Sequence, residues 1–382
     1  MLYDYLHNET YILILNETDD AEIQYSPAMK ALIVIILSVF ISLTIIGNTL
    51  VMAAFIVDKR LRTQSNFFLL NLAICDFVIG AFNVPVYVQY MLSRRWRLGK
   101  YLCKLWLVTD YTMSTASVLN IVLISFDRFI SVTQAVHYHS LQKRYSVTFI
   151  KMMAVWVVSF LLYSPSILFW ESAFGDSHIE EDVCMAGFFN AWYFHLTTSV
   201  FDFFLPLISI SFFNVSIYWS ITKRSRKRRQ HSACDTLGGK MRDVKPFIIA
   251  SNPMLPSTHV KNITLQVRRR FEQSLPQGPM ASSTSQMDNV PDTIHVIKLS
   301  RDKKVAKSLA ILVSVFAVCW APYTFLVPID RACQNNCAPH YWYDITVYIL
   351  YFNSTINPII YPLCHKSFRK AFSLLLQICF RK

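Results

Sequence analysis

The sequence predicts an all-α membrane protein, a seven-transmembrane helix bundle followed by a short amphipathic eighth helix. Three observations carry that expectation. Seven stretches, at about 31–57, 66–92, 105–126, 152–170, 191–222, 308–329 and 345–363, are apolar over the roughly 20 residues that a bilayer-crossing helix requires. Together they contain no Lys and no Arg. Most of the net charge of +13 lies in one segment, residues 223–304, where 17 Lys and Arg stand against six Asp and Glu. Such clustering excludes an evenly basic nucleic-acid-binding surface. Eight Gly and nine Cys in 382 residues likewise exclude a collagen-like chain or a small disulfide scaffold.

Orientation follows from Lys and Arg near the span ends. With the amino terminus outside, 21 of them fall on the inner side and seven on the outer. The outer group includes Arg94, Arg95 and Arg97, a cluster that charge counting does not explain. The expected organisation is an extracellular terminus at 1–28, helices one to five in 29–222, a long basic inner loop at 223–304, helices six and seven in 305–363, and a carboxy-terminal helix in 364–382. Residues 1–28 hold six acids and no base, with glycosylation acceptors at Asn8 and Asn16. Two further acceptor sequences, at Asn262 and Asn353, fall inside and within a span and are expected to stay unmodified. Residues 1–8 lack a basic stretch of the kind that precedes a cleaved signal, so span one is expected to direct insertion.

A carboxylate at the centre of a spanning helix costs roughly 2.5–3.5 kcal/mol on insertion scales, so each is a functional candidate. The seven spans hold three: Asp76, Asp110 and Asp202. Asp76 is mid-span two, where Asn48, Ser117, Asn353 and Asn357 from other spans can surround it. That set suits a small cation such as sodium, and equally a structural hydrogen-bond hub. Asp110 lies 18 residues before Arg128, about 27 Å along a helix, and so near the outer mouth. Ser114 and Ser117 continue its face inward. With no Lys or Arg in the spans, the simplest counter-charge is a bound ammonium. Asp202 precedes Pro206 by one turn, with Thr198 and Ser199 at i−4 and i−3 predicted on the same face. Two such carboxylates suit a ligand with a cation at one end and a hydrogen-bond donor at the other.

Between these spans, Cys103 and Cys184 fall outside and can form a disulfide over the bundle. Cys333 and Cys337 fit a second, small disulfide better than a metal site, because only His340 is nearby as a further ligand. Cys75 and Cys319 are expected to be packing residues, and Cys234 has no assigned role. The 223–304 loop, rich in Ser, Pro and Gln, is expected to be mostly disordered, its ends prolonging the flanking helices. Its run Lys223 to Arg229 reads as inner-side charge, with a kinase or acidic-lipid contact as the alternative. Span six carries Phe316, Trp320 and Tyr323 at helical spacing, interrupted by Pro322; with Tyr111, Tyr348 and Tyr351 they offer ring faces to a cation. After span seven, Phe368, Phe372, Leu375, Leu376 and Cys379 form one apolar face among basic residues, as in a helix lying on the inner leaflet. Cys379, and after it Cys364, are candidate palmitoylation sites.

These residues carry a resemblance. Gly47-Asn48, Leu72-Ala73-Ile74-Cys75-Asp76, Cys103, Asp127-Arg128-Phe129, Trp156, Pro206, Cys319-Trp320-Ala321-Pro322 and Asn357-Pro358-Ile359-Ile360-Tyr361 stand in order on the spans. The chain resembles the rhodopsin-like (class A) G-protein-coupled receptors. Asp110 matches the amine-binding aspartate of the aminergic branch. Trp106-Leu107-Val108-Thr109-Asp110-Tyr111, Gly187-Phe188-Phe189 and Ala321-Pro322-Tyr323-Thr324 are similar to histamine receptors of the third and fourth subtypes. The Cys333 to Cys337 spacing and Tyr341-Trp342-Tyr343 favour the third. Those subtypes carry a glutamate where this chain has Asp202, and tryptophans where it has Tyr348 and Tyr351.

The resemblance implies a plasma-membrane receptor for a biogenic amine, histamine first, binding at Asp110, Tyr111, Ser114, Thr198, Asp202, Trp320, Tyr323, Thr324, Tyr348 and Tyr351. It implies a G protein of the Gi/o class engaged through Asp127, Arg128 and Phe129, with arrestin and receptor kinases as further partners. A sodium and activation cluster is expected at Asp76, Asn48, Ser117, Asn353, Asn357, Phe316 and Tyr361. One rival keeps the receptor and takes a catecholamine or trace amine through Thr198 and Ser199, or signals without ligand. Another is a seven-span transporter, which predicts internal repeats that the sequence does not show. An enzyme is not expected, since neither a nucleophile elbow, nor His-Glu-x-x-His, nor a Gly-rich phosphate loop occurs.

Overall fold

A computed structural model describes residues 26–134, 145–175, 182–238, 290–334, 337–364 and 366–380; among them there are helices and no strand. They are α1 (Pro27–Val57), α2 (Gln64–Val78, continuing through Val84–Ser93), α3 (Gly99–Thr133), α4 (Tyr145–Phe174), α5 (Trp192–Ser199, continuing through Leu205–Gly238), α6 (Val290–Ala332), α7 (His340–Cys364) and α8 (Lys366–Phe380). Six of them, α1 to α6, are long and apolar enough to cross a membrane. The seventh, α7, has 25 residues. Asn353, Ser354, Thr355 and Asn357 dilute its apolar character, and all four are buried. Its polarity faces protein, where partners exist, and not lipid, where they do not. Burial of Asn353 also agrees with its expected lack of glycosylation.

The chain divides into two units, residues 1–217 with 305–382, and residues 218–304. In the second, the described parts are helical, reaching Gly238 from one side and resuming at Val290 on the other. There Lys223 Nζ stands 5.8 Å from the Trp219 ring centroid. Most of the expected disordered loop lies outside the described residues, as do Asn8 and Asn16.

Within the first unit, α1 and α7 approach closely because position 47 has no side chain: a Cβ there would stand 2.8 Å from Pro358 Cγ. Beside it, Thr44 and Thr355 hydroxyls are 2.6 Å apart. Two prolines reshape the bundle. Each removes a backbone N–H, and the turn before each widens into a π turn, Ile79–Asn83 ahead of Pro85 and Val200–Phe204 ahead of Pro206. One inserted residue turns the following side chains by about 100°. The simple 3.6-residue phase therefore fails on both helices.

Both expected disulfides are present, Cys103–Cys184 and Cys333–Cys337, with Cα separations of 5.6 and 5.7 Å. At this end of the bundle two of the three unexplained arginines, and two lysines beside them, find acids. Arg94 donates to Asp344 at 2.9 Å, Arg95 lies 3.8 Å from Asp182, and Lys100 and Lys104 share Glu171 at 2.8 and 3.3 Å. They are half of local ion pairs, which is why net orientation counting could not account for them. At the opposite end, α8 is the expected short amphipathic helix, and the bundle takes part of its apolar face. Phe368 and Ala371 are buried, and the Phe368 ring packs 5.8 Å from both Phe55 and Tyr361. Part of the apolar face is thus used on the bundle itself, while Arg369, Lys370 and Leu374 stay exposed. The side chains of Leu376 and Cys379 lie outside the described residues.

Candidate ligand-binding site

Below the disulfide-bearing end is a cavity of about 310 Å³ whose wall includes residues from α2, α3, α5, α6 and α7 and from the segment around Cys184. That volume suits a small molecule. Asp110, Tyr111 and Ser114 enter the wall from α3, Thr198 and Asp202 from α5, Trp320 and Tyr323 from α6, and Tyr351 from α7.

Asp110 is held from two sides. Its Oδ1 accepts from Tyr351 OH at 2.8 Å and from Asn83 Nδ2 at 3.1 Å. Among the described residues Oδ2 receives no hydrogen bond, so half of the carboxylate's acceptor capacity remains. Asn83 was not among the candidates; it comes into place because the α2 π turn rotates it toward α3. Tyr87 lies against Trp106, Tyr348 and Tyr351 with ring centroids 6.1, 5.4 and 6.1 Å away, continuing the aromatic wall.

Asp202 is differently placed. Its Oδ2 accepts from Tyr163 OH at 2.6 Å and its Oδ1 from Thr115 Oγ1 at 3.2 Å. Both donors escaped the sequence reading, although Tyr163, one of the few polar side chains of span four, was a visible signal. The predicted polar face of α5 holds only in part. Thr198 lines the cavity, but the π turn breaks the phase and Ser199 Oγ donates to the Thr324 carbonyl on α6, at 3.3 Å. Two expected contact residues stand outside the lining. Thr324 is buried and donates to the Trp320 carbonyl at 2.8 Å, and Tyr348 packs edge-on to Tyr87. Phe316 is fully buried 5.7 Å from the Trp320 ring and 5.8 Å from Phe203, joining the cavity floor to α5.

Toward the disulfide-bearing end, the wall includes Tyr87, Arg94 and Asp344, with Asp344 accepting from Tyr87 OH at 2.7 Å as well as from Arg94. The Arg331 guanidinium lies 4.0 Å over the Phe189 ring. His195, also in the wall, pairs with the Phe189 carbonyl at 2.8 Å.

The family model of the 7 transmembrane receptor (rhodopsin family) matches residues 47–361. The chain belongs to the rhodopsin family of seven-transmembrane receptors. It is 36% identical over 367 residues to the histamine H4 receptor of Mus musculus, covering 92% of this chain and 93% of that one. With the histamine H4 receptor of Homo sapiens it shares 39% over 356 residues, 88% and 89% of the two chains. With the muscarinic acetylcholine receptor M1 of Sus scrofa it shares 28% over 401 residues, 87% and 86%. The chain is thus a multi-pass plasma-membrane receptor of the class A aminergic group, resembling histamine receptors, and not an enzyme.

Deeper in this receptor, Asp76 accepts from Ser117 Oγ at 3.2 Å and from Asn357 Nδ2 at 2.8 Å. Asn48 donates to the Thr44 and Ser354 carbonyls at 2.9 and 3.1 Å. The amide oxygens of Asn48, Asn353 and Asn357 are buried and accept no hydrogen bond among the described residues. One carboxylate with unsatisfied neutral oxygens is a donor set that fits a hard monovalent cation. At the far end, Asp127 accepts from Gln64 Nε2 at 3.3 Å and from Ser65 Oγ. Arg128 lines a cavity of about 20 Å³ with residues of α2, α3, α6 and α7, Tyr361 among them. Phe129 packs on Phe213 and Phe212 of α5, at 5.5 and 6.3 Å.

Proposed function

We propose that this chain is a G-protein-coupled receptor for a biogenic amine, histamine before the others, with its amino terminus outside the cell. The observation that carries the reading is Asp110: a carboxylate in an aromatic-lined cavity, anchored through one oxygen and with the other open to a donor. The ligand ammonium pairs with that oxygen, and the rings of Tyr111 and Tyr351 add cation–π attraction. The donor at the ligand's far end is received by Asp202. The histamine receptors among its relatives favour histamine over the catecholamine reading. So does the geometry of α5, where Ser199 donates toward α6 and Thr198 to the His195 carbonyl.

Agonist binds more tightly to the state with α6 moved away from the bundle, and that difference in affinity shifts the population. Trp320 and Phe316 register occupancy because they join the cavity floor to α5. At the opposite end Arg128 and Tyr361 rearrange, and a Gi/o-class G protein is the partner engaged through Asp127, Arg128 and Phe129; arrestin and receptor kinases follow it. Asp76, Ser117, Asn353 and Asn357 would hold sodium, which supplies charge compensation for Asp76 in the resting state. Glycosylation at Asn8 and Asn16 and palmitoylation at Cys379 belong to the same reading.

The test is a panel of amines competing with histamine in a G-protein activation assay, with Asp202→Ala alongside. A histamine response that the variant loses supports the two-carboxylate cavity. A response to another amine alone removes histamine, and a response to none removes the amine reading.

A further inference from the structure

The far end of the cavity differs from the ammonium end in how its hydrogens are spent. Asp202 takes the hydroxyl hydrogen of Tyr163 on one oxygen and that of Thr115 on the other. A hydroxyl has one hydrogen, and an ionised carboxylate has none. Once both hydroxyls donate to Asp202, all three groups retain only lone pairs. Tyr163 is 2% exposed and does not line the cavity. The Tyr111 ring, which does, packs 5.2 Å from it. Tyr163 thus acts on a ligand through Asp202 and not by contact.

We propose that Tyr163 of α4, with Thr115 of α3, is a specificity-determining positioning residue that turns the α5 end of the cavity into an acceptor-only site, selecting ammonium ligands whose far end carries an N–H or O–H donor. The inference rests on the amine reading above and deepens it. A ligand ending in an N–H finds a carboxylate held in one orientation with lone pairs left. A ligand ending only in acceptors, such as a choline ester, meets lone pairs with lone pairs. The short aspartate side chain makes this stronger, because its reach is small and the 2.6 Å bond from Tyr163 determines where its oxygens stand.

The experiment compares histamine with its ring-N-methylated derivative, which keeps the ammonium and loses the ring N–H, by competition binding on membranes carrying the full chain. The wild-type ratio of affinities should be roughly 10- to 100-fold in favour of histamine, the loss expected for one hydrogen bond to a charged acceptor. Tyr163→Phe and Thr115→Val should each lower the ratio several-fold by weakening histamine alone, and Thr115→Ser, which keeps the hydroxyl, should restore it. Equal weakening of both ligands in Tyr163→Phe would mean a merely structural role and overturns the inference. A choline ester that binds the wild type as tightly as histamine also overturns it. If the wild type binds neither amine, the amine reading and this inference fall together; histamine binding with an unchanged ratio in both variants sinks the inference alone.

Discussion

Asp110→Asn isolates the charge at the centre of the cavity with little change of shape. The amide oxygen can still accept from Tyr351 OH and Asn83 Nδ2, now 2.8 and 3.1 Å from Oδ1. What changes is the other position, where an NH2 replaces the oxygen that has no hydrogen bond among the described residues. A donor then faces the ligand's ammonium, and the ion pair is gone. Removing one partner of a buried ion pair costs about 3–5 kcal/mol, so histamine affinity should fall roughly 100- to 4,000-fold. The assay is competition binding on membranes, with surface density followed by antibody to an amino-terminal tag. Surface density should stay within about twofold, because the substitution removes a buried charge and keeps the hydrogen bonds that fold Asp110 into place. Histamine bound by the variant within threefold of the wild type would refute the ammonium site at Asp110 and leave the cation to another carboxylate of the wall, Asp202, Asp330 or Asp344.

Asp202→Glu adds one methylene and lets the carboxylate reach farther into the cavity, so the histamine response should be kept or improved; complete loss, read by G-protein activation, would show the α5 geometry to be wrong. Replacing sodium by a large organic cation should raise agonist affinity in the wild type and leave Asp76→Asn unchanged, measured by competition at constant ionic strength. A sodium effect that persists in the variant would move the cation elsewhere. Arg94→Ala breaks the pair with Asp344, in which the side chains are 30% and 12% exposed. Partial exposure limits the cost to about 1 kcal/mol, a fall on the order of 2–4 °C in the melting temperature of the detergent-solubilised receptor. No change in melting would mean that the pair contributes nothing to holding α2 against α7.

Periodicity and hydropathy suffice for the membrane spans because lipid demands apolar side chains over a set length, wherever the helix sits in the bundle. The same rule makes Asp76, Asp110 and Asp202 conspicuous, since a carboxylate in a span needs a reason. It fails where the environment is not lipid. The α7 helix is more polar than the other six because it meets partners on α1 and α2: Thr355 pairs with Thr44, the Ser354 carbonyl accepts from Asn48, and Asn357 donates to Asp76. Arg94 and Lys100 look like misplaced orientation signals until Asp344 and Glu171, far away in the chain, are seen beside them.

The sequence by itself determined the class, the number of helices, both disulfides and the three intramembrane carboxylates, because each depends on composition or on the oxidising or apolar character of a compartment. Only the tertiary structure decided how each carboxylate is held. Two prolines widen their helices by one residue; Asn83, in the first widened turn, meets Asp110, and the second widened turn separates the phase of Ser199, which donates to α6, from that of the residues after it. Tyr163 and Thr115 meet at Asp202 from two other helices. A one-residue change of phase moves a side chain to a different face of its helix, and no periodicity written along the chain contains that rotation or the identity of the neighbour it meets.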